Sequence, residues 1–190
     1  MTLILSSRSP RRKELLERLG IRLVIVEPGI PEDRKGGEGP QECARRLAHE
    51  KALYGANLYP GCWSLGADTI VLLGDEILGK PRDREDARRM LRLLSGRVHR
   101  VITAFSLLNL RDMREFHGME ETLVKFLPLE DREIEWYIRT GEPLDKAGAY
   151  AIQGIGGGFI EWIRGSYTNV VGLPIGQLLG PLKEVGLWTP

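Results

Sequence analysis

Residues 3–26 read LILSSRSPRRKELLERLGIRLVIV, and the order of apolar runs and breakers in this stretch decides the fold class. Leu3–Ser6 is a short, almost wholly apolar run, which predicts a buried strand. Ser9-Pro10 follows as a helix start. Serine offers a side-chain oxygen to an orphan backbone N–H, and proline loses nothing at the first helical position. Leu15, Leu16 and Leu19 then recur at helical spacing until Gly20 closes the segment. Residues 22–26 (RLVIV) return to strand character.

The same alternation extends outward. Residues 27–40, rich in glycine, proline and acids, read as a loop. Residues 41–58 predict a helix with Ala44, Leu47, Ala48 and Ala52 along one face. A strand over 64–73, a turn at Gly74-Asp75 and a short strand ending at Gly79-Lys80-Pro81 come next. A helix over 83–95 stops at Gly96. Residues 98–110 and 119–127 are strand-like, with a charged turn between them. A helix over 130–139, a glycine-rich loop over 141–158 that is irregular throughout or holds one helical turn, a strand over 159–163 and a helix near 174–185 complete the chain. Helices interleave with strands, and at least one hairpin is present, so the expected class is α/β with a mixed sheet.

Length and charge narrow the function classes. The chain has 190 residues and 21.4 kDa, enough to bury a core as a single domain over 1–190. It holds 27 Lys plus Arg against 26 Asp plus Glu, a net charge of +1. That argues against binding nucleic acid by bulk basicity. Arg45/Arg46 and Arg88/Arg89/Arg92 lie beside acids and read as solvated helix faces. Yet the charge is segregated: residues 1–20 carry +3 and residues 27–42 carry −3. No apolar run nears the ~18 residues of a membrane span. Cys43 and Cys62 form no CxxC pair, and the N-terminal LIL is too short for a signal-peptide core. These features predict a cytoplasmic protein without a disulfide framework.

Five constellations could carry chemistry. Ser7-Arg8-Ser9-Pro10-Arg11-Arg12 puts arginines at a helix N-terminus, where the dipole disfavours cations unless an anion joins them. A phosphate cradle and a solvated basic turn both fit. Lys51 is the second. At 100° per residue, with Ala44 at 0°, Leu47 falls at about 300°, Ala48 at about 40° and Lys51 at about 340°. The lysine therefore lies mid-stripe, where it needs an anionic partner or must snorkel. The third is Gly66-Ala67-Asp68-Thr69, where Asp68 shares a strand face with Ile70 and Leu72. A carboxylate there needs a partner, a metal or a raised pKa, unless it merely caps a turn. The small Gly66-Ala67 pair leaves room for a ligand to approach the backbone. Gly79-Lys80-Pro81 is the fourth, a lysine on rigid backbone. The fifth is DKAGAYAIQG (145–154), where small residues flank the Gln153 amide; close approach of a ligand and a packed glycine-rich turn both fit. HExxH, a Cys/His ladder, Walker A and a Rossmann GxGxxG are all missing from the sequence.

Taken together, SSRSPRR, ARRLAHEKA, GADTIVLLGDEILGKPRD, LSGRVHRVIT, GEPLDKAGAYAIQG and GSYTNVVGLP closely resemble the Maf family of nucleotide pyrophosphatases. The blocks follow the family order over nearly the whole chain. The resemblance implies an architecture like that of inosine triphosphate pyrophosphatase: a long twisted mixed sheet flanked by helices, with two lobes and a central cleft. It implies hydrolysis of a nucleoside triphosphate between the α and β phosphates, with Mg²⁺ or Mn²⁺, by a homodimer. The paired arginines after Ser-Pro and the IQG glutamine resemble the dTTP/UTP subgroup; the alternatives are 7-methyl-GTP hydrolysis and nucleotide sensing in septum control. Residue by residue, the resemblance implies that Asp68 is the catalytic acid–base group. It implies that Ser7, Arg12, Lys51 and Lys80 hold phosphates, and that Arg11, Thr69 and Gln153 set specificity. Glu32 and Asp68 are the implied metal ligands. At Gly29-Ile30-Pro31-Glu32 the chain departs from the family's Asp-Ile-Asp-Glu, and only the glutamate is kept.

Overall fold

The opening stretch folds as its pattern predicts, into β1 (Thr2–Ser6), α1 (Pro10–Glu17) and β2 (Arg22–Val26). The structure is a computed structural model that describes residues 1–189. The chain continues through α2 (Pro40–Leu58), β3 (Trp63–Leu73), β4 (Glu76–Leu78), α3 (Arg84–Leu94), β5 (Val98–Asn109) and β6 (Arg114–Phe126). It then forms α4 (Asp131–Arg139), β7 (Ile160–Arg164), α5 (Tyr167–Val171) and α6 (Ile175–Glu184). The seven strands make one mixed sheet in the order β2-β1-β3-β5-β6-β7, with β4 paired to β3. β1 runs parallel to both β2 and β3, while β3–β4 and β6–β7 are antiparallel. The expected mixed α/β class is the observed one.

The chain divides into two compact units. The first comprises residues 1–68, 103–120 and 172–190, and the second residues 69–102 and 121–171. Among the described residues of the first unit, α1 begins at Ser9, whose Oγ accepts from Arg12 N at 3.4 Å. Pro40 opens α2, and the Glu42 carboxylate accepts from Gly39 N at 2.9 Å, which satisfies a donor the helix cannot. The buried face of α2 carries Ala44, Leu47, Ala48, Ala52 and Ala56, small enough to bring its backbone close to the strands. In the second unit, α3 starts at Asp83, whose Oδ1 accepts from Asp86 N at 2.8 Å. Its apolar face joins α4 and the strands around the fully buried Tyr137 and Phe126.

Three local expectations change. β6 begins at Arg114, so the strand is longer than 119–127 and the charged turn shrinks to residues 110–113. Polar residues can occupy that strand because Glu115 accepts from Ser106 Oγ at 2.8 Å and Arg114 stacks on Trp63 and Phe116. The loop 141–158 contains three 3-10 turns, and a short helix, α5, stands within the GSYTNVVGLP block. Four of the helical arginines are ion-paired: Arg46 bonds Glu38 at 2.6 Å, Arg88 bonds Glu135, Arg89 bonds Glu76 at 2.7 Å, and Arg92 bonds Asp131 at 2.8 Å. Among the described residues, no helix is long and apolar enough to cross a membrane.

Buried His99 gives the second unit an acid sensitivity. Its Nε2 lies 2.8 Å from the Tyr150 hydroxyl, and its ring meets Phe126 and Tyr150 edge-on. Burial keeps it neutral, its pKa pushed from 6.5 down to about 4. The unfolded chain takes up the proton first, so stability is full above pH 6.5 and is lost as pH falls to about 4. The expected loss is about 3 kcal/mol. Urea unfolding of His99→Phe across this range is expected to show a correspondingly flatter pH dependence.

Candidate functional site

The first unit gathers five of the residues that the sequence singles out. Ser7 sits just past the end of β1, its N–H held by Val26 O at 3.0 Å. Its Oγ accepts from Ser9 N at 3.1 Å and from the Arg12 guanidinium at 3.2 Å. Arg12, in the first turn of α1, is buried, and its Nε donates to Gly172 O at 2.8 Å. Gly172 has φ +125°, a backbone conformation that side chains other than glycine avoid. The carbonyl that orients Arg12 thus depends on a glycine of the GLP block. Burial lowers the Arg12 pKa and the Asp68 charge opposes that shift; the guanidinium stays a cation.

Lys51 joins the two carboxylates. Its Nζ lies 2.6 Å from Glu32 Oε1 and 2.7 Å from Asp68 Oδ1. The Lys51 side chain is 7% exposed, that of Asp68 13% and that of Glu32 52%. The lysine in the middle of the apolar stripe therefore does not snorkel; it ends on anions inside the unit. The reason lies in Gly66. A Cβ there would stand 2.2 Å from Ala48 O, 2.3 Å from Ala52 N and 2.9 Å from Lys51 Cβ. The backbone of α2 presses on β3 at this glycine and sets Lys51 beside Asp68, two residues along the strand. The expectation that Gly66-Ala67 leaves room for a ligand is corrected: the helix fills that room.

Burial raises the Asp68 pKa; Lys51 and Arg12 pull it down, and Glu32 pushes it up. The net shift is upward, toward the range useful to a general base. Two cations and two carboxylates thus meet over Arg12, Lys51, Asp68 and Glu32. Such a neutral quartet does not attract a bare polyanion strongly, but it suits an anion that brings a cation with it.

Of the other predicted residues, one lies in the first unit and three in the second. Arg11 is half-buried in the first turn of α1, beside the buried Arg12. Thr69, Lys80 and Gln153 belong to the second unit. Thr69 is half-buried in β3, directly after Asp68. Lys80 is exposed between β4 and α3, where Gly79 O accepts from Gly148 N at 3.1 Å. Gln153 is half-buried in a turn after the DKAGAY stretch. Sequence reasoning missed Gly172; its only signal was a glycine ahead of Leu-Pro at the end of a distinctive block.

Known proteins align with the whole of this arrangement. The family model described as Maf-like protein matches residues 2–185. A protein of Anaeromyxobacter dehalogenans named dTTP/UTP pyrophosphatase is 50% identical over 190 residues, covering 99% of this chain and 96% of its own. A Thermococcus gammatolerans protein of the same name is 50% identical over 186 residues, covering 97% and 96%. One from Symbiobacterium thermophilum, also so named, is 48% identical over 184 residues, covering 97% and 94%. Among solved structures, the Staphylococcus aureus Ham1 protein is similar at 12% identity with a TM-score of 0.46, over 66% of this chain and 72% of that one. With its Ser-Pro-Arg-Arg turn, Lys51 and Asp68 all inside the matched span, the chain belongs to the Maf family.

Proposed function

We propose that the chain is a hydrolase that cleaves dTTP and UTP between the α and β phosphates, releasing the monophosphate and pyrophosphate. The observation that carries this reading is Asp68, its side chain 13% exposed and held by the buried Lys51, with the buried Arg12 and Ser7 at the start of α1. Relatives named dTTP/UTP pyrophosphatase, 48–50% identical over nearly the full chain, support it.

In this reading Arg12, Ser7 and Lys51 bind phosphate oxygens and stabilise charge that builds on the leaving pyrophosphate. The positive end of the α1 dipole adds to that field. Asp68, its pKa raised by burial, takes the proton of the attacking water. Lys51 orients the Asp68 carboxylate by its 2.7 Å bond and balances its charge. Lys80 is assigned to phosphate on the family resemblance, as are Arg11, Thr69 and Gln153 to the base. Gln153 offers one donor and one acceptor, which matches the O4 and N3–H edge of uracil or thymine.

A divalent cation, Mg²⁺ or Mn²⁺, fits the donor set. Glu32 and Asp68 supply hard oxygen ligands, and among the described residues no cluster of three or more His, Cys, Asp or Glu forms a cage. Magnesium commonly takes one or two carboxylates and completes its shell with phosphate and water. When bound, such an ion polarises the phosphoryl oxygens and offsets their charge.

A nucleotide panel scored for pyrophosphate and monophosphate, with each metal and with chelator, tests the reading. Turnover of dTTP and UTP, lost on chelation, is expected. Cleavage of 7-methyl-GTP alone, or stoichiometric binding without release, would overturn it.

A further inference from the structure

Gln153 sits at the corner of a four-residue turn, Ala151–Gly154, closed by Gly154 N donating to Ala151 O at 3.2 Å. One pair of side chains holds both ends of that turn. The Tyr137 hydroxyl, from α4, accepts from Ala151 N at 3.2 Å and donates to Glu142 Oε1 at 2.7 Å. Glu142 then reaches the far side: Oε2 accepts from Ile155 N and Oε1 from Gly156 N, both at 3.0 Å. All of these groups lie in the second unit.

The glycines after Gln153 are shaped to this clamp. A Cβ at Gly154 would stand 2.2 Å from Glu142 Oε2, and one at Gly156 would stand 2.4 Å from the Tyr137 hydroxyl oxygen. The room that the small residues leave around Gln153 is therefore taken by Glu142 and Tyr137, where the sequence suggested an approach for ligand. Burial alone would raise the Glu142 pKa, but the donors from Gly156, Tyr137 and Ile155 prevail and lower it. The clamp thus works through an ionised carboxylate whose hydrogen bonds are charge-assisted.

We propose that Glu142, acting with Tyr137, is a positioning residue for Gln153: it fixes the turn that carries the amide, and so sets selectivity for the pyrimidine base. This rests on the reading of Gln153 as the residue that recognises the base. An amide discriminates between base edges only when its donor and acceptor are held to within a fraction of an ångström. A slack turn would let the amide read several edges.

The test compares kcat/KM for dTTP and dGTP in the full-length enzyme and in Glu142→Gln, Tyr137→Phe, Gln153→Ala and the Glu142→Gln/Gln153→Ala double variant. Glutamine keeps the size of Glu142 but turns a hydrogen-bond donor toward backbone N–H groups. Glu142→Gln is expected to lower the dTTP-to-dGTP ratio about 10-fold, mainly through KM for dTTP. Tyr137→Phe is expected to act in the same direction, and it carries the test if thermal melting shows Glu142→Gln to be unfolded. In the Gln153→Ala background, Glu142→Gln is expected to change the ratio no further. Equal slowing on both nucleotides, or an undiminished shift in that background, overturns the proposal. A ratio lowered by Gln153→Ala but not by Glu142→Gln or Tyr137→Phe overturns the positioning role and leaves the base reading standing. A ratio untouched by Gln153→Ala overturns both.

Discussion

Asp68→Asn is expected to stay folded and to release pyrophosphate from dTTP about 10²- to 10⁴-fold more slowly, the usual weight of a positioned general base. The carboxylate sits inside the first unit on β3, and burial has already raised its pKa. Asparagine keeps the shape and can still accept from Lys51, but it cannot take a proton from water. The loss is therefore expected in kcat, with KM for dTTP changed little. Stability is expected to stay within about 1 kcal/mol, because the replacement removes a charge that burial disfavours. Steady-state kinetics with a urea melt on the same preparation decide the matter. Near wild-type turnover from a folded Asp68→Asn protein would remove Asp68 from the chemistry.

Lys51→Met is expected to cost both activity and stability. The ammonium bonds Glu32 at 2.6 Å and Asp68 at 2.7 Å from a side chain only 7% exposed. Methionine fills much of the same space, so packing on α2 largely survives. What is lost is the ammonium's bond to Asp68, which leaves two carboxylates facing each other's charge. Removing one partner of a buried pair costs about 3 kcal/mol, and the stranded Asp68 is driven further toward its neutral form. A fall in kcat/KM of about 10²-fold or more follows, from the missing phosphate ligand and the protonated base. Adding Asp68→Asn is expected to restore part of the stability and none of the activity. A Lys51→Met protein as stable and as active as wild type would show that the bridge matters to neither.

The elements were legible because each rests on local periodicity and breakers. Leu15 and Leu16 reappear on the buried face of α1 and Ser9 caps the helix, while Leu19 falls in the turn past the helix end. Lys51 was legible for the same reason: 3.6-residue periodicity alone puts it between Leu47 and Ala48, and a buried lysine must find an anion. Less legible was the start of β6 at Arg114, because charged residues conceal a strand whose polar face is satisfied across the sheet by Ser106. In the sequence a glycine leaves open space. At Gly66 the space belongs to α2, and at Gly154 and Gly156 to Glu142 and Tyr137. A glycine says that something comes close; it does not say what.

The strand–helix–strand pattern of residues 3–26, the lysine in the apolar stripe and the carboxylate on an apolar strand follow from the sequence by itself, because they depend only on neighbours within a turn or two. Tertiary structure alone decided which charges meet: Glu32 and Asp68 on Lys51, Gly172 O on Arg12, Glu142 on the Gln153 turn. Those pairings join residues 13 to 160 positions apart. Only the packing of α2 on β3 and the path of the chain back to Gly172 bring them within hydrogen-bond reach.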